Sequence, residues 1–595
     1  MAFNHYFLDE LSSLRELGRE FAERNPRLAP FLTEEGQDPD VERLLEGFAF
    51  ISGRLRQKLD DELPEVTHSL MALMWPHFLR PLPAMSILAF DPLPTVSETQ
   101  HIPQGVSVKS RSVDGTACQF RTCYDVDLKP LRVCGATQQR RPTGATVELE
   151  LALTGQISWA DINLDSLPFY LHGEQHVAQS MYLWLFRYLT AIEVQMATAQ
   201  GESVLIARLS PESVTPMGFS DSESLLPPSP QLLSGHRLLS EYFALPEKFH
   251  FIRLSGLQVV QQRALTDASV ATAPSLSLRF QFERDLPGHV NISADNFHLF
   301  CTPVVNLFEH EALPIRADYR KTEYRVVPAG NDPSQYEIFD LLRVQGWGHE
   351  RRHNQLFPRF ESFEHFETAP VDSQKRYYRE RQKPSVTGYG LDSYLTFVNQ
   401  YEHSVFPETE SVSVSLLCTN RHLPTQLGVG DLCIATDDSP EFADFHNLTH
   451  ITPSFAPPLD KGFHWRLISN LALNKMVLTD LRSLKALLST YDYRSYYDRQ
   501  QALASQHRLD ALEAIDSQAE DLIHEGYPVR GRRTLLRVRE SHFASEGDMF
   551  LFATVVNELF ALNCSINSFH RLVVHGIEQG EVYQWKARTG SCPLL

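Results

Sequence analysis

The stretch HRLLSEYFALPEKFHFI, His236–Ile252, places a helical and an extended periodicity on either side of one proline. The apolar residues before the proline recur at helical spacing: Leu238, Leu239, Tyr242 and Phe243. Pro246 ends that run because its ring clashes with the turn that precedes it. Beyond it, the spacing of Phe249, Phe251 and the later Leu254 indicates a strand. The stretch therefore predicts a helix-to-strand joint buried in a large core, with Pro246 as a candidate hinge.

The composition is that of a large, folded and acidic protein. With 595 residues the chain is too long for one hydrophobic core, and we expect about three to five domains or subdomains. The net charge of −20 disfavours binding to phosphate backbones or anionic lipids, which requires a stripe of Lys and Arg. A basic or apolar protein surface is the partner that this charge favours.

Neither the cysteines nor the termini indicate secretion. Eight cysteines in 595 residues are too sparse for a disulfide scaffold and lack the paired spacing of a structural zinc site, so we expect free thiols. The N-terminus has acidic residues early and no basic segment before an apolar block, unlike a signal peptide. The most apolar window, Met181–Leu189, is short and is interrupted by Arg187. These features predict a cytoplasmic protein.

Residues 1–80 predict a helical segment with one conspicuous apolar stripe. The second helix begins near Asp40, a good N-cap residue, and its apolar positions approach a heptad repeat: Val41, Leu44, Leu45, Phe48, Ile51, Leu55 and Leu59. Such a stripe can pack within this protein or against the helices of a partner. The candidate partner contacts are Leu44, Phe48, Ile51, Leu55 and Leu59.

From Pro81 onward the texture changes to short strands between Pro and Gly turns. The predicted fold class is multidomain α+β, a helical segment followed by several β-rich, sandwich or barrel-like domains with interspersed helices. Helices are expected over Leu471–Leu487, 498–518 and Met549–Leu562. The predicted divisions are 1–80, 81–235, 236–345, a polar loop or insert at 346–386, 387–490, and an α/β region at 491–595.

One segment matches a catalytic motif literally. His349-Glu350-Arg351-Arg352-His353 has the H-E-x-x-H spacing that, on a helix, lets His349 and His353 hold zinc with the glutamate as general base. Its surroundings argue against that chemistry, because zinc helices need apolar flanks and the two middle arginines would repel a dication. A zinc hydrolase remains an alternative that metal analysis of His353→Ala would test.

Two other segments favour structural roles. Gly428-Val429-Gly430-Asp431 is a lone G-x-G with no helix after it, which indicates a turn between strands. In Cys418–Pro424 the Asn420-Arg421 pair lies at a predicted strand end, where such residues usually fix a turn. No residue set predicts catalysis or a cofactor, and we expect a protein that is not an enzyme.

Several long segments resemble the TssF (VasA/ImpG) family of the type VI secretion baseplate. They follow one another in the family's order: FLDELSSLRELGREFAERNP, DPDVERLLEGFAFISGRLRQKLDDELPE, LPFYLHGE, HRLLSEYFALPEKFHF, CTPVVNLFEHEALPI, SLLCTNRHLP and HWRLISNLALN. The resemblance spans nearly the whole chain and is weaker at 346–386 and 498–518.

The resemblance implies a structural subunit of a cytoplasmic baseplate, related to wedge proteins of contractile phage tails. It implies TssG as a partner, with two TssF copies per TssG, and also TssK, TssE and the VgrG spike. It implies no catalytic residues. A wedge protein of a phage or tailocin is the alternative, because it shares the same physics with different partners.

Overall fold

The computed structural model describes residues 7–8, 10–15, 40, 43–54 and 76–590, the last range without 142–143, 156, 198–202, 228–233, 317–320, 322, 331, 348–354, 361–375, 386–390, 400–410, 458–479, 525–526 and 563. The chain divides into two compact units. The first consists of Met1–Leu79 with Leu459–Ser469, and the second of Arg80–Pro458 with Asn470–Leu595. The finer domain boundaries stay predictions.

The first unit is helical wherever it is described. Residues 10–15 and 43–54 are α-helical, and Pro76–Leu79 form a 3-10 turn. The hydroxyl of Ser52 donates to the Glu10 carboxylate at 3.1 Å, so the two helices meet through a polar contact. The predicted helical beginning is confirmed for these residues.

The second unit begins with a five-stranded sheet, and one segment of the chain connects its two edges. Its strand order is β24 (Ala443–Asn447), β1 (Met85–Pro92), β15 (Cys301–Val305), β4 (Thr116–Thr122) and β3 (Ser107–Val113). Just before β24 joins β1, Ile434 pairs with Lys109 of β3 at the other edge, N–H to O 3.0 Å in both directions. Residues 434–447 therefore close this sheet in the manner of a barrel.

Two further antiparallel sheets follow. One has the order β10 (Ser203–Leu209), β9 (Leu189–Ala197), β13 (Ser275–Phe282), β7 (Gly144–Leu153) and β6 (Leu131–Arg141). The other has the order β11 (Val214–Pro216), β12 (Phe251–Ser255), β8 (Ser166–Leu171) and β14 (Phe297–His298). Strand β12 is the extended half of the predicted joint, and it lies between β11 and β8.

The middle of the chain forms two sheets around one apolar cluster, and an earlier part of the chain forms a separate two-stranded ladder. The first sheet has the order β16 (Phe308–Glu311), β23 (Ser411–Thr419), β19 (Glu337–Trp347) and β20 (Gln355–Phe357), with β17 (Ile315–Arg316) also on β23. The second has the order β18 (Tyr324–Arg325), β22 (Leu391–Asn399) and β21 (Arg376–Pro384). The ladder is β2 (Gln100–Ile102) with β5 (Val126–Leu128). Val344, Leu395 and Leu416 lie in the shared cluster of the two sheets and are fully buried.

The last sheet mixes parallel and antiparallel pairs. Its order is β25 (Leu512–His524), β26 (Tyr527–Val538), β27 (Phe569–Gly576) and β28 (Val582–Gln584), with β29 (Arg588–Thr589) on β27. Strands β26 and β27 are parallel, and helix α8 (Glu546–Leu562) lies between them in the chain. Nearly every residue of α8 is buried, and the helix packs on both its own sheet and the joint.

The other helices described in the second unit are short. They are α1 (Gln175–Leu183), α2 (Ser234–Ala244), α3 (Gln258–Thr266), α4 (Ala268–Ala271), α5 (Leu481–Tyr491), α6 (Arg494–Tyr497) and α7 (Arg499–Asp510). A π-helical turn extends α1 at Trp184–Tyr188, and 3-10 turns occur at Pro211–Ser213, Asp221–Glu223, Pro246–His250, Ala294–Asn296, Pro333–Gln335, Leu423–Gln426 and Glu540–His542. Every helix in the described ranges is too short or too polar to cross a bilayer.

The α+β fold class is confirmed, and so is the helix predicted at Met549–Leu562, which begins at Glu546. The helix predicted over 498–518 is wrong beyond Asp510, because Leu512–His524 pairs with β26 as a strand. The polar loop predicted at 346–386 is also wrong in part. Its last residues form β21, which pairs along its whole length with β22. In both cases a long-range strand partner determines the structure more than local composition does.

Candidate functional site

The joint predicted at His236–Ile252 exists and is locked by a buried ion pair. Helix α2 ends at Ala244, Pro246 opens a 3-10 turn, and β12 begins at Phe251. Glu241, at the end of the helix, is fully buried and pairs with Lys248, which is 1% exposed and lies in the turn. A charge moved out of water is stable only when paired and hydrogen-bonded, so this pair fixes the angle between helix and strand.

The Glu241 carboxylate also accepts hydrogen bonds from a neighbouring loop. Its Oε1 accepts the backbone N–H groups of Leu225 at 2.8 Å and Leu226 at 3.2 Å. Arg237, one turn earlier on α2, donates to Asp221 of the same loop at 2.6 Å. The Ser- and Pro-rich loop that precedes α2 is therefore bound to the joint over these residues.

Gly218 shows how closely this loop approaches the joint. Its φ of +91° is a left-handed conformation, and a Cβ there would lie 3.1 Å from the carbonyl oxygen of Lys248. Its N–H donates to the Glu223 carboxylate at 2.7 Å, and the same carboxylate accepts a hydrogen bond from Arg253 of β12 at 3.4 Å. A residue without a side chain is needed at this position.

The joint also contacts the central helix α8. The ring of Tyr242 lies 6.2 Å from that of Phe552, and the Arg508 guanidinium lies over the Tyr242 ring at 5.9 Å. Arg508 in turn forms an ion pair with Asp548 at 3.2 Å. The Asp548 carboxylate also accepts a hydrogen bond from Gln179 of α1. Pro246 itself is half-buried and belongs to the second compact unit. Its role as a hinge stays a prediction.

Three of the five candidate partner contacts lie together on one open helical face. Leu44, Phe48 and Ile51 are 74%, 62% and 63% exposed. The opposite side of the same helix carries Ala49, which is fully buried. Leu55 and Leu59 lie outside the described residues. Of the two uses considered for this stripe, the exposure of these three side chains favours contact with a partner.

The structure brings no catalytic set together among the residues it describes. His349 and His353 of the H-E-x-x-H segment lie outside those residues, and within them no cluster of His, Cys, Asp and Glu could hold a metal ion. Burial raises the pKa of the Cys118 thiol to about 11 and that of Cys123 to about 12, so neither is a nucleophile at neutral pH. The cysteines that the structure describes are free thiols, as predicted.

The Asn420-Arg421 segment has the structural role expected of it. The Asn420 N–H donates to the Asn306 side chain at 2.7 Å, and the Asn306 amide donates back to Asn420 at 2.8 Å. Asp431 accepts the Gly428 N–H at 2.8 Å, which confirms the turn predicted there.

Two features of the structure were not found from the sequence. The sequence does contain a signal for the Glu241–Lys248 pair, because these two opposite charges, seven residues apart, interrupt a largely apolar stretch. The sequence did not predict that β26 would place several arginines on one sheet, because the strand pairing of this region was not predicted. These arginines are Arg530, Arg532, Arg533 and Arg537.

Comparison with known proteins agrees over the whole length. The family model described as "Type VI secretion system, TssF" matches residues 1–592. The chain is 31% identical, over an alignment of 629 positions that covers 99% of each protein, to the type VI secretion system component TssF1 of Pseudomonas aeruginosa strain PAO1.

Two solved structures are similar in fold. A chain of the TssK–TssF–TssG baseplate subcomplex, determined by cryo-electron microscopy, matches with a TM-score of 0.73 and 29% identity, covering 92% of this chain and 99% of that one. A chain of a baseplate complex from the type VI secretion system matches over the full length of both, with a TM-score of 0.60 and 24% identity. The family match, the curated relative and the shared fold agree, and the chain belongs to the TssF family of the type VI secretion system.

Proposed function

We propose that this protein is a non-catalytic structural subunit of the type VI secretion baseplate wedge, in which two copies join one TssG. The observation that carries the proposal is the match to the TssF family over residues 1–592, together with the likeness to a chain of a TssK–TssF–TssG subcomplex. In this role the wedge binds TssK toward the membrane complex and TssE and the VgrG spike toward the sheath, at the cytoplasmic face of the inner membrane.

The buried joint supports a scaffold role on physical grounds. A wedge must transmit force between partners, which requires stiff connections inside each subunit. The Glu241–Lys248 pair joins α2 to the turn that follows it, and the Arg508–Asp548 pair joins α7 to α8. Each such pair destabilises alternative arrangements, because breaking it would leave a charge in the core.

The test of the function is reconstitution. The full chain co-expressed with TssG and TssK should co-purify with both, and light scattering after size exclusion should give two copies of this chain per TssG. Loss of the gene should abolish sheath assembly in cells. A chain that is stable and monodisperse yet binds neither partner would refute the proposal.

Within this function, the exposed stripe of Leu44, Phe48 and Ile51 is assigned to a helix of TssG. The three residues recur at i, i+4 and i+7, which is the spacing of a helix–helix contact, and Leu55 and Leu59 continue the same repeat in the sequence. Burying a leucine or phenylalanine at such a contact contributes about 1.5–3 kcal/mol each.

A matched pair of variants tests this surface. Leu44→Asp should weaken capture of TssG at least tenfold, because a carboxylate would replace a buried apolar side chain. Leu265→Asp is the control, since Leu265 is 69% exposed on α3, close to the 74% of Leu44. Equal capture by both variants would show that the stripe is not the contact.

A further inference from the structure

The C-terminal sheet has one face turned toward α8 and one turned away. The His570 ring of β27 lies 4.7 Å from Phe560 of α8, so alternate residues along β27 and their neighbours point to the other side. On β26, the parallel register aligns Arg532 with His570 and Arg533 with Arg571. Arg533 and Arg537 therefore lie on the face away from α8, and both are exposed.

This outer face carries like charges in direct opposition. Arg533 is aligned with Arg571. Asp516 of β25 is aligned with Leu535 and so lies on the same face. Arg571 is neutralised by Glu520 of β25, with Nη1 to Oε1 at 2.7 Å. Arg533 and Arg537 form no ion pair with any residue that the structure describes. Two exposed arginines without an internal ion pair are available to an anionic partner, whose charge would complement theirs.

The hairpin formed by β25 and β26 is held closely against β27 at Gly531. Gly531 is aligned with Glu520, and a Cβ at Gly531 would lie 2.3 Å from the carbonyl oxygen of Phe569. This close approach fixes the point at which the pairing of β26 with β27 begins, and the Glu520–Arg571 pair holds β25 to β27. The two free arginines are thus presented on a preorganised surface, which lowers the entropy cost of binding.

The same compact unit carries a rigid turn of opposite charge. The side chains of Asp437, Asp438, Glu441 and Asp444 are exposed, and none forms an ion pair within the described part of the chain. Asp444 is aligned with Asp91 of β1, a second like-charge opposition. The hydroxyls of Thr436 and Ser439 both donate to the carbonyl oxygen of Ser107, at 2.7 and 2.8 Å, and hold the turn on β3.

We infer that the basic face at Arg533 and Arg537 binds the acidic turn 437–444 of a second copy of this chain. The net charge of −20 makes most approaches between two copies repulsive, so complementary patches select one orientation. The choice of a second copy rests on the proposed function, which places two copies in one wedge. Because the two patches are different surfaces, the contact is head-to-tail.

Neutral variants of each patch test the inference in the full chain. At about 50 mM salt the wild-type protein should self-associate with concentration in sedimentation velocity, and about 0.5 M salt should abolish this because charges on a surface are screened. Arg533→Gln with Arg537→Gln, and separately Asp438→Asn with Glu441→Gln, should each weaken self-association at least tenfold. Arg132→Gln with Arg316→Gln is the charge-matched control on exposed arginines elsewhere and should leave it unchanged.

Mixing the two variants gives the decisive result. One retains the acidic turn and the other the basic face, so an equimolar mixture should form pairs and nothing larger. A mixture that stays monomeric, variants that associate as the wild type does, or a wild type that is monomeric at low salt would each overturn the inference. So would a DNA duplex that binds the wild type and is released by Arg533→Gln with Arg537→Gln.

The two proposals fail separately in this design. Capture of TssG is measured on the same variants, and none of the substituted residues belongs to the stripe of Leu44, Phe48 and Ile51. Capture retained without self-association would refute the head-to-tail contact alone. Loss of TssG capture by the wild-type chain would refute the proposed function.

Discussion

Charge is used in opposite ways at the joint and on the C-terminal sheet. At the joint, Glu241 and Lys248 are buried and paired, and the Glu241 carboxylate also lies 3.7 Å from the buried Arg237 and accepts N–H groups of the adjacent loop. On the outer face of β26, Arg533 and Arg537 are exposed and have no ion pair in the described residues. Buried pairs make one internal arrangement specific, whereas exposed unpaired charges select a partner. The joint should therefore control stability and the sheet face should control association.

The largest expected effect comes from breaking the buried pair. Lys248→Met removes the nearer of the two cations beside the buried Glu241 carboxylate and leaves only Arg237, whose Nε lies 3.7 Å from Oε1. We expect the second unit to lose about 3–5 kcal/mol of unfolding free energy, the usual cost of removing one partner of a buried pair. The measurement is urea unfolding of the full chain followed by far-ultraviolet circular dichroism.

The double variant Glu241→Gln with Lys248→Met is the control for this loss. It removes both charges, while the glutamine oxygen can still accept the N–H groups of Leu225 and Leu226. It should recover most of the stability. If the double variant were as unstable as Lys248→Met alone, the packing of the lysine stem would be the important contribution and not its charge.

The joint should also make stability depend on pH. Burial lowers the pKa of His250 from its ordinary 6.5 to about 4, with the charge of His172 acting in the same direction, and its Nε2 has no hydrogen-bond partner among the residues that the structure describes. Because the folded-state pKa is the lower one, the stability from the neutral ring is complete above about pH 6.5 and is lost as pH falls through 4. The loss is on the order of 3 kcal/mol by pH 4.

Unfolding measured between pH 7 and pH 4 tests this dependence. His250→Gln should make unfolding free energy fall less steeply with decreasing pH, by the slope that corresponds to the uptake of about one proton on unfolding. His450→Gln, at an exposed histidine, should follow the wild-type curve. A His250→Gln curve parallel to the wild type would place the acid sensitivity elsewhere, for example at His570, whose pKa burial also lowers to about 4.

The joint was predictable because its pattern is local. Helical spacing before Pro246 and apolar residues after it both lie within a few residues, and the structure differs only by a 3-10 turn that carries Phe249 and His250. Proline at the first position of a helical turn explains that difference, since its fixed φ suits such a turn.

The basic face was not predictable, because it depends on a partner strand far away in the chain. Leu512–His524 has helix-compatible composition, and its pairing with β26 makes it a strand. The parallel register that opposes Arg533 and Arg571 requires α8 to cross between β26 and β27. A single sequence gives no information on that register, so the like-charge opposition emerges only in three dimensions.

A smaller effect is expected where the sheet fixes its hairpin. Gly531→Ala would force a Cβ against the carbonyl oxygen of Phe569 at 2.3 Å, and such overpacking costs about 1–3 kcal/mol. Gly288→Ala is the control, because a Cβ there meets nothing within 4 Å. Thermal unfolding of the two variants should differ by several degrees. Equal midpoints would mean that β26 and β27 separate at little cost, and that the basic face is less rigid than the contacts indicate.

The smallest effect on stability should come from the arginines themselves, and this result sharpens the contrast with the joint most directly. Arg533→Gln with Arg537→Gln removes two exposed charges that form no ion pair among the described residues, so unfolding free energy should stay within about 0.5 kcal/mol of the wild type. The same variant is expected to lose self-association. Removing one buried charge at the joint and two exposed charges on the sheet would then affect different properties, folding in the first case and assembly in the second. A large loss of stability in the arginine variant would contradict this division, because it would show that the sheet face contributes to the fold.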